Sequence, residues 1–135
     1  MAFISISITK NHPLILGKGG FGRQLADWLS AEGWGEAEFL DDSAPGCVGG
    51  LRDPKLLKPG RPAFVALGDN ALRVELLQKL AAAGYDTPVF ISDMAAVSPS
   101  AVLEPGCVIL PQAYVGADAH LGVGCIINGG AIVDH

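Results

Sequence analysis

Gly17-Lys18-Gly19-Gly20-Phe21-Gly22 places glycines at 17, 19 and 22, the G-x-G-x-x-G spacing. Without Cβ atoms in the way, backbone N–H groups and the start of a helix can approach a phosphate, so the pattern suits a nucleotide. The same spacing also makes a tight structural turn, and with Asp41 or Asp42 about twenty residues further on it fits a dinucleotide as well. Gly68-Asp69-Asn70 forms a second polar loop, in which Asp69 could equally cap the helix that follows. Proton transfer near neutral pH points to histidine, and the chain has His12, His120 and His135. His12, just before Pro13, reads as a surface residue at the start of a strand. Asn128 stands in Asn128-Gly129-Gly130, where an amide either bonds a ligand or makes a turn. Cys47, Cys107 and Cys125 are odd in number and match no zinc spacing, so reduced thiols and no metal site are expected.

The elements that must hold these residues change character partway along the chain. Leu14-Ile15-Leu16 reads as a buried strand, and Phe21 to Leu29 carries apolar residues at helical spacing. Glu38 to Leu40 and Ala63 to Leu67 read as two further strands. A second helix is predicted from about Ala71 to Ala83, stopped by Gly84, with Pro88 to Ile91 as a fourth strand. Strands alternating with helices imply a parallel sheet. Phe3 to Thr9 adds a candidate edge strand. The domain expected from this pattern covers residues 1–93.

From Ala95 a period of six replaces the helical one. The third position of each hexapeptide is aliphatic, Val97, Leu103, Ile109, Val115, Leu121, Ile127 and Val133, and the first is Ala or Cys throughout, from Ala95 to Ala131. That is the signature of a parallel β-helix, in which six residues make one face and three faces one coil. Residues 94–135 are therefore expected to form an incomplete β-helix. Its first and third positions point inward together, because side chains alternate along a strand. Cys107 and Cys125 then stack as small core residues. The position between, Val102, Val108, Tyr114, His120, Ile126 and Ile132, should point outward. An outward apolar stripe needs a covering partner, either the first domain or another subunit; oligomerisation is expected, most simply a trimer, with His120 lining its interface rather than a ligand cleft.

Composition removes several classes of function. At 135 residues the chain is one domain or two small units, too short for a large multidomain enzyme. Half the residues are hydrophobic and 17% charged, which excludes intrinsic disorder. Residues 1–79 hold nine basic and nine acidic side chains, whereas residues 80–135 hold five acids and no base. A basic groove for nucleic acid is thus not expected. No apolar run is long enough to span a bilayer, and Phe3 to Ile8 alternates with Ser where a signal peptide would be continuously apolar. A soluble cytoplasmic protein without membrane insertion is expected.

The glycine turn, Asp41-Asp42, Gly68-Asp69-Asn70 with Arg73, and hexapeptides running to Asn128-Gly129-Gly130-Ala131-Ile132-Val133-Asp134-His135 together resemble bacterial sugar acetyltransferases. The resemblance extends over nearly the whole chain, to sialic acid O-acetyltransferase-like proteins and N-acetyltransferases of UDP-4-amino-sugars. It implies a Rossmann-like α/β domain followed by a left-handed parallel β-helix, a homotrimer, and acetyl-CoA bound between neighbouring β-helices. It also implies transfer of an acetyl group from acetyl-CoA to the amine of a UDP-amino-sugar. Gly19 and Gly20 would approach the diphosphate after the Gly17 turn, Asp41 or Asp42 the uracil, and Gly68, Asp69 and Asn70 would close the pocket. His135 would be the general base, with Asn128 bonding the substrate. The other expectations are a sugar O-acetyltransferase and a non-catalytic nucleotide-sugar-binding or trimerising module. Relatives continue for several more coils, so a truncated chain with little transferase activity of its own is expected.

Overall fold

Short apolar runs bounded by glycine and proline build the first half. The computed structural model describes residues 12–53 and 59–135; the candidate strand Phe3 to Thr9 lies outside them. Strand β1 (Leu14–Leu16) lies between β2 (Glu38–Leu40) and β3 (Ala63–Val65), all parallel, in the order β2-β1-β3. All three residues of β1 are fully buried, as expected of a central strand covered on both faces. Helix α1 (Gly20–Ala31) packs on β1, and α2 (Asn70–Ala82) on β3. Leu76, Leu77 and Leu80 of α2 join Leu14, Leu16, Leu40, Ala63 and Val65 in one core cluster. Residues 15 and 64, one step along their strands, face the opposite side. There the Phe64 ring meets Trp34, just beyond α1, edge to face at 5.5 Å. Both helices end alike, on a glycine of positive φ, Gly33 and Gly84, with the next residue's N–H returning to a carbonyl five residues back.

The second half is a stack of two-residue strands. They are β4 (Phe90–Ile91), β5 (Ala96–Val97), β6 (Val102–Leu103), β7 (Val108–Ile109), β8 (Tyr114–Val115), β9 (His120–Leu121), β10 (Ile126–Ile127) and β11 (Ile132–Val133). They form three parallel ladders, β4-β7-β10, β5-β8-β11 and β6-β9. Every rung joins residues eighteen apart, such as Phe90 with Val108 and Tyr114 with Ile132. Cys107, Ile109, Ala113, Val115, Ala119 and Leu121 form the buried core, with Ala95, Val97, Cys125, Ile127 and Val133 packed against it. The small and aliphatic positions of the hexapeptide therefore face inward as the alternation requires. At the corners the sixth position turns through positive φ at Gly106, Gln112, Asp118, Gly124 and Gly130.

Two expectations are corrected. The strand placed at the end of the α/β sheet, Phe90–Ile91, pairs with Val108–Ile109 and opens the β-helix. A short apolar run carries no mark of which sheet it will join. The compact units accordingly divide between Thr87 and Pro88, not at 93/94. In place of the expected fourth strand, the α/β unit has a single parallel bridge between Pro62 and Asp86. Along the outward stripe, Val102, Tyr114 and Ile132 are 53%, 43% and 75% exposed, whereas Val108 is buried without joining the core cluster of the coils.

Candidate functional site

In the α/β unit the loops singled out by sequence meet at the carboxyl ends of the three strands. Gly17 to Gly20 follow β1, Asp41 and Asp42 follow β2, and Gly68 to Asn70 come shortly after Val65, the last residue of β3. The chain passes from β2 to β3 across β1, so β1 and β3 flank the point at which the strand order reverses. Open α/β sheets bind ligands at that crevice.

The glycines divide into two kinds. Gly17 has a φ of +104°, and a Cβ there would lie 2.7 Å from the Ala66 carbonyl oxygen. A Cβ on Gly22 would lie 1.8 Å from the Gly17 carbonyl oxygen, so these two allow α1 to sit tightly on the turn. Gly19 and Gly20 have nothing within 4 Å of where a Cβ would be. Internal packing gives no reason for glycine at either position; both leave backbone open at the start of α1. That helix has no side-chain cap and no acid in its first turn, so its first N–H groups remain available to an anion.

Asp41 is held by the backbone. Its Oδ2 accepts from the Lys18 N–H at 2.8 Å, and its Oδ1 from the N–H groups of Ser43 and Ala44, each at 3.0 Å. These bonds, that from Lys18 foremost, hold its pKa down at about 2. The carboxylate thus ties the glycine turn to the end of β2. Asp42 Oδ1 accepts from the Leu51 N–H at 2.9 Å. Across the crevice Asp69 caps α2, accepting from the Leu72 N–H at 2.9 Å. Asn70 Oδ1 accepts from Arg73 Nη2 at 2.6 Å, while Arg73 Nη1 donates to the Leu67 carbonyl at 2.7 Å. Arg73, buried beside Leu76 and Leu77 on its helix, anchors this loop from beneath. A cavity of about 750 Å³ lies elsewhere, along the outer edge of β2 between His12, Glu36, Phe39, Val48 and Arg61, and includes none of the glycine-turn residues.

In the β-helix, Asn128 and His135 stand on successive corners, after β10 and β11. The Asn128 carbonyl accepts from the Ala131 N–H at 3.0 Å, a turn bond. His135 is exposed, its Nδ1 3.4 Å from Asp134 Oδ1, and its N–H donates to the same oxygen at 2.9 Å. Gly116, one coil below, is what lets this segment stack: a Cβ there would approach the His135 nitrogen to 2.9 Å. The eighteen-residue register, which sets 116 beneath 134, could have revealed Gly116 in advance. His120 has a partner that sequence reasoning missed, Glu104 on the neighbouring rung, at 2.6 Å. Burial pushes the Cys107 thiol up, and its Sγ donates to the Gly122 carbonyl at 3.2 Å, the behaviour of a core residue. Among the described residues no group of three or more His, Cys, Asp or Glu is gathered as for a metal ion.

The PglD N-terminal domain family matches residues 14–80. No curated protein matches the chain. Solved structures do. The acetyltransferase domain of PglB from Neisseria gonorrhoeae, in complex with acetyl coenzyme A, is 36% identical with a TM-score of 0.85, over 94% of this chain and 65% of that one. PerB from Caulobacter crescentus, in complex with CoA and GDP-perosamine, is 35% identical with a TM-score of 0.81, over 92% of this chain and 63% of that one. A variant of GDP-perosamine N-acetyltransferase from the same organism, with a histidine replaced by alanine, is 31% identical with a TM-score of 0.78 over 91% and 62%. The chain thus spans a little under two thirds of the length of these relatives. Residues 14–80 thus carry the PglD N-terminal domain, with Asp41 and Arg73 holding its loops, and the chain is similar over nearly its whole length to bacterial acetyltransferases that include a GDP-perosamine N-acetyltransferase.

Proposed function

We propose that the chain takes part in moving an acetyl group from acetyl-CoA to the amino group of a nucleotide-linked 4-amino-sugar, UDP-linked in the first instance. The observation that carries this reading is the open backbone at Gly19 and Gly20, between loops at the carboxyl ends of β1 and β3. A pyrophosphate fits there because neither glycine offers a side chain and α1 offers free donors. Relatives with CoA or acetyl-CoA and with GDP-perosamine support the two substrate classes. The GDP-linked sugar of PerB makes guanine the first alternative to uracil.

Acetyl-CoA supplies a thioester that the sugar amine attacks. His135 is the general base: its imidazole takes a proton from the amine as the new C–N bond forms and returns it to the departing thiolate. The contact between Asp134 and the His135 ring gives the imidazole a carboxylate neighbour. Asn128 bonds the substrate through its exposed amide. The exposed Val102, Tyr114 and Ile132 support a homotrimer in which neighbouring β-helices cover one another and enclose acetyl-CoA. The reaction belongs to glycan biosynthesis in the cytoplasm, where nucleotide sugars and acetyl-CoA are both available. No helix among the described residues is long and apolar enough to cross a membrane.

Calorimetry with nucleotide and acetyl-CoA, followed by a thiol-release assay with UDP- and GDP-4-amino-sugars, tests the proposal. Binding of both substrates is the expected result, with little turnover by the 135-residue chain and an acetylated amine as product where coils like those of the relatives complete it. Nucleotide binding without acetyl-CoA binding would mark a nucleotide-sugar-binding module, an acetylated hydroxyl an O-acetyltransferase, and NADH binding a dinucleotide site. In protein that turns over, His135→Ala is expected to lower kcat by about 10²- to 10⁴-fold with little change in nucleotide affinity.

A further inference from the structure

We propose that Lys18 binds the terminal phosphate of a nucleoside diphosphate at the glycine turn. This inference rests on the nucleotide reading above and assigns it a charged residue. Lys18 stands inside the turn, between Gly17 and Gly19, and its own N–H is fixed at 2.8 Å by Asp41 Oδ2. The stem therefore starts from an anchored point. The residue is half-buried, and its ammonium donates to the carbonyl of Pro45 at 2.8 Å and lies 5.3 Å from the centroid of the Phe39 ring. Gly46 makes room for it, since a Cβ there would come within 2.8 Å of Nζ.

Both of these contacts of the ammonium are with uncharged groups. None of the ion pairs among the described residues includes Lys18. The carboxylate tied to its backbone, Asp41, already accepts from three N–H groups of the main chain. A cation resting on a neutral carbonyl gains by exchanging it for a phosphate oxygen, because charge-assisted hydrogen bonds are roughly twice as strong as neutral ones. The flexible four-carbon stem can make that exchange toward the open space at Gly19 and Gly20, which lies immediately beside it in the chain. The Arg23 guanidinium already donates to the Gly19 carbonyl at 3.4 Å, so a phosphate placed there would meet two cations. A diphosphate offers that group with room for the nucleoside to extend along the crevice.

Titrating the 135-residue chain calorimetrically with UDP, GDP, UMP and GMP at low salt tests this. Lys18→Met keeps the stem and removes the charge. Loss of one charge-assisted bond predicts a diphosphate affinity at least about tenfold weaker, a monophosphate affinity changed about threefold or less, and recovery of diphosphate binding in Lys18→Arg. Diphosphate affinity within about threefold of the parent in Lys18→Met would overturn the inference. So would equal losses for mono- and diphosphates, which would make Lys18 only an anchor for the Pro45 loop. If the parent chain binds neither diphosphate, it is the nucleotide reading itself that fails, and the inference with it.

Discussion

At the scale of single residues, Asp41 carries the clearest electrostatic consequence. Its pKa of about 2 lies below the ordinary value near 3.9 of an unfolded chain, so the folded state binds the proton less readily. Its stabilising contribution is therefore complete above about pH 4 and lost as the pH falls toward about 2. Asp41→Asn should lower the urea midpoint at about pH 7, and the gap between variant and parent should close by about pH 2. A gap unchanged over that range would mean that folding does not hold the Asp41 pKa below its unfolded value. Asp69 and Asn70 show how a polar residue near a site can be occupied by its own fold: one caps α2, the other receives Arg73. The sequence left the capping role of Asp69 open beside the binding one, and only the hydrogen bond to Leu72 shows that its Oδ1 is engaged.

At the scale of elements, the glycine turn separates packing from ligand access. Gly22→Ala pushes a methyl group into the Gly17 carbonyl and should cost about 2–3 kcal/mol, seen as a lower denaturant midpoint. Gly20→Ala meets nothing and stands in the first turn of α1, so stability should hold or rise by up to about 1 kcal/mol. Nucleotide binding should nonetheless fall, because the added methyl occupies the approach to the backbone. Equal affinities for Gly20→Ala and the parent would move the phosphate away from this turn. In the coils, Ile109 is fully buried in the core of the β-helix, and Ile109→Ala should cost about 2–5 kcal/mol by the cavity that it leaves. Both helices were legible in the sequence to within a residue or two, each from apolar residues at helical spacing and the second also from its glycine stop at Gly84.

At the scale of the whole molecule, Tyr114 and Ile132 are paired in register on neighbouring rungs and both are exposed. A trimer that covers this face predicts that Ile132→Asp shifts sedimentation from trimer toward monomer, while the far-UV spectrum stays that of the parent. A parent chain that sediments only as monomer at micromolar concentration would remove the trimer from the proposal. The two-part organisation, the period of six and the inward residues could all be read from the chain alone, because each follows from a local rule: helical spacing, strand alternation, or a repeat whose every unit meets the same surroundings. Partners distant in sequence could not. Phe90–Ile91 could have joined either sheet, and pairing with Val108 settled it. The bond from Lys18 to Asp41 spans 23 residues, and nothing near either one announces it. The clash that a Cβ on Gly22 would make with the Gly17 carbonyl is likewise seen only in the folded turn. Periodicity is written in neighbouring residues, whereas the commitments of single side chains arise from backbone that only folding brings beside them.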